Sequence, residues 1–136
     1  MIIKRTYTYF VLVSFLFLVT SSFASSGHSL IIQPGSELGT TLEYDPVGRY
    51  DVIFKIQDKV NKTHPTSITI TISNDSHIGD IVLNGSNWGY GPVEISLPQV
   101  NNNLHILNVD EKTVIMIRNN GPNSLEISHG EIIPIK

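Results

Sequence analysis

Five histidines, His28, His64, His77, His105 and His129, are the side chains of this chain best able to bind a metal or move a proton near neutrality. A zinc or copper centre needs three or four converging ligands, commonly with a close pair such as i, i+2 on a strand. No two of the five are so spaced. The chain has no cysteine, which excludes thiol catalysis and a blue-copper electron-transfer site. The expectation is therefore no metal and no cofactor.

Carboxylates offer a second chemistry. Glu43, Asp45 and Asp51 surround an Asp45-Pro46-Val47-Gly48 turn and could approach one another across it. Two carboxylates about 5–10 Å apart are what glycoside hydrolysis requires. The plainer reading is that Asp45 caps the turn and Asp51 belongs to a solvent-facing row. Asn74 to Asp80 gathers several oxygen donors, yet it lacks the ordered spacing and closing glutamate of a calcium loop. Serine is plentiful, but there is no Gly-x-Ser-x-Gly elbow. Gly85, Gly89 and Gly91 lead into a strand-like run, not into the helix that a phosphate cradle needs. No catalytic set emerges.

The stretch best suited to touching a ligand is Asn87-Trp88-Gly89-Tyr90-Gly91, which holds the only tryptophan. Aromatic faces on a loop can stack on sugar rings, with Asn84, Ser86 and Asn87 bonding hydroxyls and the glycines admitting close approach. Against that stands the ordinary use of a large aromatic, folding back to plug the end of a core. Asn87, Trp88 and Tyr90 are the candidate ligand-binding residues.

The elements that must position these groups are strands. Ile68, Ile70 and Ile72 alternate with Thr69 and Thr71, a period of two that sends one row inward and the other outward. β-branched residues fill nearly every place, in agreement with that pattern. Asn74-Asp75-Ser76 supplies turn chemistry, and Ile81 and Leu83 resume the alternation, so a hairpin is expected over residues 65–85.

Other strands are expected at His28–Gln33, Leu38–Tyr44, Arg49–Gln57, Val93–Leu97, Leu104–Val109, Thr113–Arg118, Leu125–Ser128 and Ile132–Ile135. The apolar phase slips between Ile106 and Leu107, as either a bulge or a strand buried on both faces would produce. Thr113–Arg118 is apolar without alternation and should lie centrally in a sheet. Asn101-Asn102-Asn103, Asn119-Asn120-Gly121-Pro122-Asn123 and His129-Gly130 read as turns.

Strand-like runs recurring every 8–12 residues or so predict an all-β fold. An antiparallel β-sandwich, Ig-like in architecture, is the first expectation and a closed β-barrel the second.

The N-terminus reads as an export leader. Lys4 and Arg5 precede an apolar run from Phe10 to Val19 broken only by Ser14, and Ser22 and Ala24 are the small residues a signal peptidase reads. The run is short of the roughly 20 apolar residues that a membrane span needs. Residues 1–24 are thus expected to be a signal peptide, an uncleaved N-terminal anchor being the alternative, and residues 25–136 a single domain, periplasmic or extracellular. The absence of cysteine rules out a lipid-anchored form.

Without the leader, seven basic residues face twelve acidic ones, a formal charge of −5. Nucleic acid and anionic membranes are disfavoured partners of such a surface. Asn61, Asn74 and Asn84 each open an Asn-x-Ser/Thr triplet, an acceptor pattern if the chain is secreted by a eukaryote.

Three functions follow in order. The first is an exported non-enzymatic sandwich acting through protein–protein contacts, including self-association or partner binding by strand addition at open edges. The second is a carbohydrate-binding module using Trp88 and Tyr90. The third is a small glycoside-hydrolase-like enzyme using Glu43 with Asp45 or Asp51.

Overall fold

The computed structural model describes residues 11–13, 29–42, 48–60 and 64–135. Among these the chain is all-β: two antiparallel sheets, no helix, and no closure into a barrel. In chain order the strands are β1 (Val11–Val13), β2 (Leu30–Ile32), β3 (Glu37–Leu42), β4 (Arg49–Gln57), β5 (Ser67–Ser73) and β6 (Asp80–Leu83). They continue as β7 (Ser86–Asn87), β8 (Val93–Ser96), β9 (Asn101–Asp110), β10 (Thr113–Asn119) and β11 (Leu125–Ile135). One sheet runs β1-β3-β10-β5-β8, the other β2-β11-β4-β9-β6-β7.

Alternation fixes the faces. In β4, Tyr50, Val52, Phe54 and Ile56 are buried while Lys55 is exposed; in β5, Ile68, Ile70 and Ile72 are buried between half-exposed threonines. These rows meet Ile115 and Ile117 of β10, Leu104, Ile106 and Val109 of β9 and Leu125 and Ile127 of β11 in one hydrophobic cluster drawn from both sheets. That is the layered arrangement of a sandwich. β10 is central, paired along its length with β3 and β5. The phase slip in β9 is a register shift: Tyr50 pairs with Val109, but Val52 pairs with Ile106, and Asn108 takes a φ of 61°.

Three local expectations need correction. The segment over residues 65–85 is not a hairpin, because β5 pairs with β10 and β8 in one sheet whereas β6 pairs with β9 and β7 in the other. Residues 74–79 instead carry the chain across the roughly 10 Å between packed sheets. Asn74 holds the crossing by accepting from the Ile78 amide (3.0 Å) and donating to the Ile78 carbonyl (2.8 Å). Gly79, at φ 140°, fits where a Cβ would lie 2.8 Å from Val109 Cγ1.

Asn101-Asn102-Asn103 is not a turn but the start of β9. Asn102 is buried there because its amide is fully employed, donating to the carbonyls of Ile56 (3.3 Å) and Gln99 (2.8 Å) and accepting from Asn84 Nδ2 (3.0 Å). Finally, His129-Gly130 does not reverse the chain. β11 runs through it as one strand on β4, with a register shift between Ser128 and Glu131.

A polar knot ties the loops at one end of the sandwich. Asp58, at 0% exposure, accepts from the Thr66 amide (3.0 Å) and from Asn123 Nδ2 (2.9 Å), and its own amide donates to the Val100 carbonyl (2.8 Å). Asn123 Nδ2 also reaches the His64 carbonyl, while buried Asn119 donates to the carbonyls of Ile32 and Asn123. Each buried polar group here has a partner, which is the condition for burying it at all.

Candidate functional site

The candidate contact site is the hairpin β6–β7 and the loop that follows it. Asn84 and Gly85 sit at φ 50° and 89°, the positive values that a two-residue type I′ turn demands, and Leu83 pairs with Ser86 across them. The Asn-Gly pair was the readable signal for this small hairpin. Beyond it, the Trp88 amide donates to the Ile81 carbonyl and the Ile81 amide to the Gly89 carbonyl, both at 2.7 Å. The Gly89 amide is taken by Asn87 Oδ1 (2.7 Å). The loop is thus held to the edge of β6 by its own backbone.

These bonds separate the three candidate residues. Asn87 is exposed, and Trp88 is 45% exposed, so the indole does not plug the sandwich end. Tyr90 does that work: it is half-buried against the core cluster, with its ring centroid 6.0 Å from that of His77 at a tilt of 44°. The split follows from Gly91, whose φ of 84° turns the chain inward where a Cβ would stand 2.8 Å from Ile81 Cδ1 and 3.2 Å from the Ile70 carbonyl. Trp88 and Tyr90 therefore differ in role, one facing solvent and one anchoring.

The polar groups expected around the indole divide in the same way. Asn84 is committed internally: its Oδ1 accepts from the Asn103 amide (2.8 Å) and its Nδ2 donates to Asn102. Ser86 and Asn87 are exposed beside Trp88. Asn74 Nδ2 is likewise engaged, with the Ile78 carbonyl and Thr113 Oγ1, so at both described glycan-acceptor positions the nitrogen that would carry the sugar is already a donor. Asn61 lies outside the described residues.

Of the carboxylates, Glu43 and Asp45 also lie outside them. Asp51 is half-buried on β4, its Oδ1 accepting from the Asn108 amide (2.9 Å), which gives it a structural task at the β9 bulge. His64 and His77 are exposed and His105 is half-buried on the outer face of β9, opposite Ile53 and Val82; His28 is outside the described residues. Among the described residues, no three of His, Cys, Asp and Glu are placed to hold a metal ion.

One carboxylate is electrostatically perturbed. Ser29 Oγ donates to Glu126 Oε2 (2.7 Å), and Lys59 Nζ lies 2.9 Å from Oε1. Together they hold the Glu126 carboxyl below its ordinary range, the Ser29 bond first. Glu126 stands on the outer face of β11 where β2 pairs, so it ties the start of β2 and the turn after β4 to that strand.

The chain matches no family model, no curated protein and no solved structure.

Proposed function

We propose that this is an exported, non-enzymatic β-sandwich of Ig-like architecture, periplasmic or extracellular after loss of residues 1–24, that acts through protein–protein contacts at its surface. One observation carries the reading. Among the described residues, the C-terminal half of β11, from Ser128 to Ile135, is paired with β4 on one side, while β2 reaches only Leu125–Ile127 on the other. Backbone groups and the exposed side chains of Ile133 and Ile135 are thus left along an edge. An open edge with apolar side chains is what strand-adding partners use.

The test is to express the full chain in an exporting host and cross-link the compartment in which it accumulates. A product lacking residues 1–24 and joined to a defined partner, or to itself, supports the proposal. A product retained in the cytoplasm, or one exported yet monomeric and partnerless, overturns it.

A second reading is favoured by the exposure of Trp88: a carbohydrate-binding module in which the indole stacks on a sugar ring beside Asn87. Tryptophan emission from the exported protein, titrated with a broad glycan panel, decides it. Saturable changes that Trp88→Ala abolishes support the reading, and unchanged emission throughout removes it.

A further inference from the structure

The sheet edges are not equally protected. β8 is four residues long and bracketed by Pro92 and Pro98, with exposed Glu94 at its middle. β2 has three residues and is followed by Pro34. β6 is covered by β7 and by the backbone bonds of Trp88 and Gly89. The free part of β11 is open to a partner, but a register shift and Pro134, which offers no N–H, shorten the stretch that can pair. Short length, proline, charge and bulges are the usual devices that keep an edge from pairing.

β3 has no proline and no bulge, and its one charge, Glu37, stands at its first residue. Its six residues, Glu-Leu-Gly-Thr-Thr-Leu, pair throughout with β10, from Glu37 opposite Arg118 to Leu42 opposite Thr113. On its other side, among the described residues, only Gly39, Thr40 and Thr41 are paired, and their mates are Val13, Leu12 and Val11 of β1. Those three residues belong to the apolar run read as the export leader. The leader therefore covers the one long, unguarded edge among the described strands, and cleavage would uncover it.

We propose that, once the leader is removed, β3 pairs antiparallel with β3 of a second copy across a two-fold axis near Thr40. This rests on the reading of the chain as exported and processed. The strand now seated on β3 runs antiparallel, the only sense that a two-fold between identical edges allows. With Thr40 at the axis, buried-face residue meets buried-face residue, and Gly39 falls opposite Thr41 of the copy on the outer face. Small uncharged residues thus meet at the centre. Glu37, the strand's charge, lies at its far end near Arg118 (4.0 Å). The result is one continuous sheet through both copies.

The experiment uses the full chain expressed with export, recovered from its compartment, with intact mass and sedimentation measured together. Loss of residues 1–24 with a two-copy mass is the expected result. Thr41 is half-buried on the outer face, so Thr41→Lys should leave the fold intact while raising the dimer dissociation constant roughly tenfold or more. Because the chain lacks cysteine, Thr40→Cys should oxidise only between copies, to a covalent dimer.

A processed protein that stays monomeric at high concentration overturns the pairing and leaves export standing. So does a processed protein that binds only a different strand. An unprocessed chain retaining Val11–Val13 overturns both readings. A dimer insensitive to Thr41→Lys and not trapped by Thr40→Cys places the contact elsewhere and also overturns the proposal.

Discussion

Replacing Asp58 with alanine should be among the most damaging single changes available outside the apolar core. The side chain is buried and accepts hydrogen bonds from the Thr66 amide and from Asn123 Nδ2. Alanine strands the Thr66 amide, and it leaves Asn123 Nδ2 with the His64 carbonyl alone. An unsatisfied buried donor costs about 1–3 kcal/mol, so the pair should lose about 2–4 kcal/mol. Against a usual domain stability of about 5–15 kcal/mol, that is a large share.

Asp58→Asn should recover little, since its amide nitrogen would face a donor at one of the two positions. Urea unfolding of the purified protein reads the effect, with the midpoint falling and the slope unchanged. A double-mutant cycle with Asn123→Ala should give a coupling of about 0.5–3 kcal/mol, because the two side chains share a bond. If Asp58→Ala shifts stability by less than about 0.5 kcal/mol, the usual range of surface changes, or if the two changes simply add, the knot does not tie the loops as described.

The remaining predictions concern the strands and their ends. Ile70→Asp places an unpaired charge at a position of 0% exposure and should unfold the domain, whereas Thr71→Asp on the outer face should be far milder. Circular dichroism of both variants checks this, and equal damage would contradict the assigned faces. Gly91→Ala should cost at least about 1 kcal/mol in urea unfolding, since φ is positive and a Cβ would press on Ile81 and the Ile70 carbonyl.

For Glu126 the folded carboxyl is held low, so its contribution is complete above the unfolded carboxylate range and is lost as pH falls through the folded value. Glu126→Gln should therefore lower stability near neutrality and flatten the acid limb of a pH–stability curve. An unaltered acid limb would remove Ser29 and Lys59 as the cause.

Much of the fold was legible because alternation is a property of single strands. The faces of β4, β5 and β8, the central place of β10 and the slip in β9 all follow from which residues must avoid water. Pairing partners were not legible. The run from Ile68 to Leu83 has the same pattern whether its halves lie side by side or in opposite sheets, and only the length of the Asn74–Gly79 connection hinted at a crossing. Asn102 was misread for a related reason: an asparagine can occupy a strand when its amide finds carbonyls, and those came from Ile56 and Gln99, distant or unpredictable in sequence.

The site was half legible. The aromatic, glycine-spaced loop was visible, but which aromatic faces solvent depends on the inward turn at Gly91. The place of β3 was hidden because its other described neighbour is a piece of the apolar N-terminal run, distant in sequence.

Residue-resolved amide exchange on a form of the protein lacking residues 1–24, repeated over a wide range of concentration, tests the central claim most directly. Contact through an open sheet edge predicts slow exchange in β4, β5, β9 and β10 at every concentration. It also predicts that, over Gly39–Thr41, the amides facing away from β10 gain protection as the protein is concentrated. Rapid exchange of those edge-facing amides at all concentrations, or protection of them that dilution never releases, would contradict it.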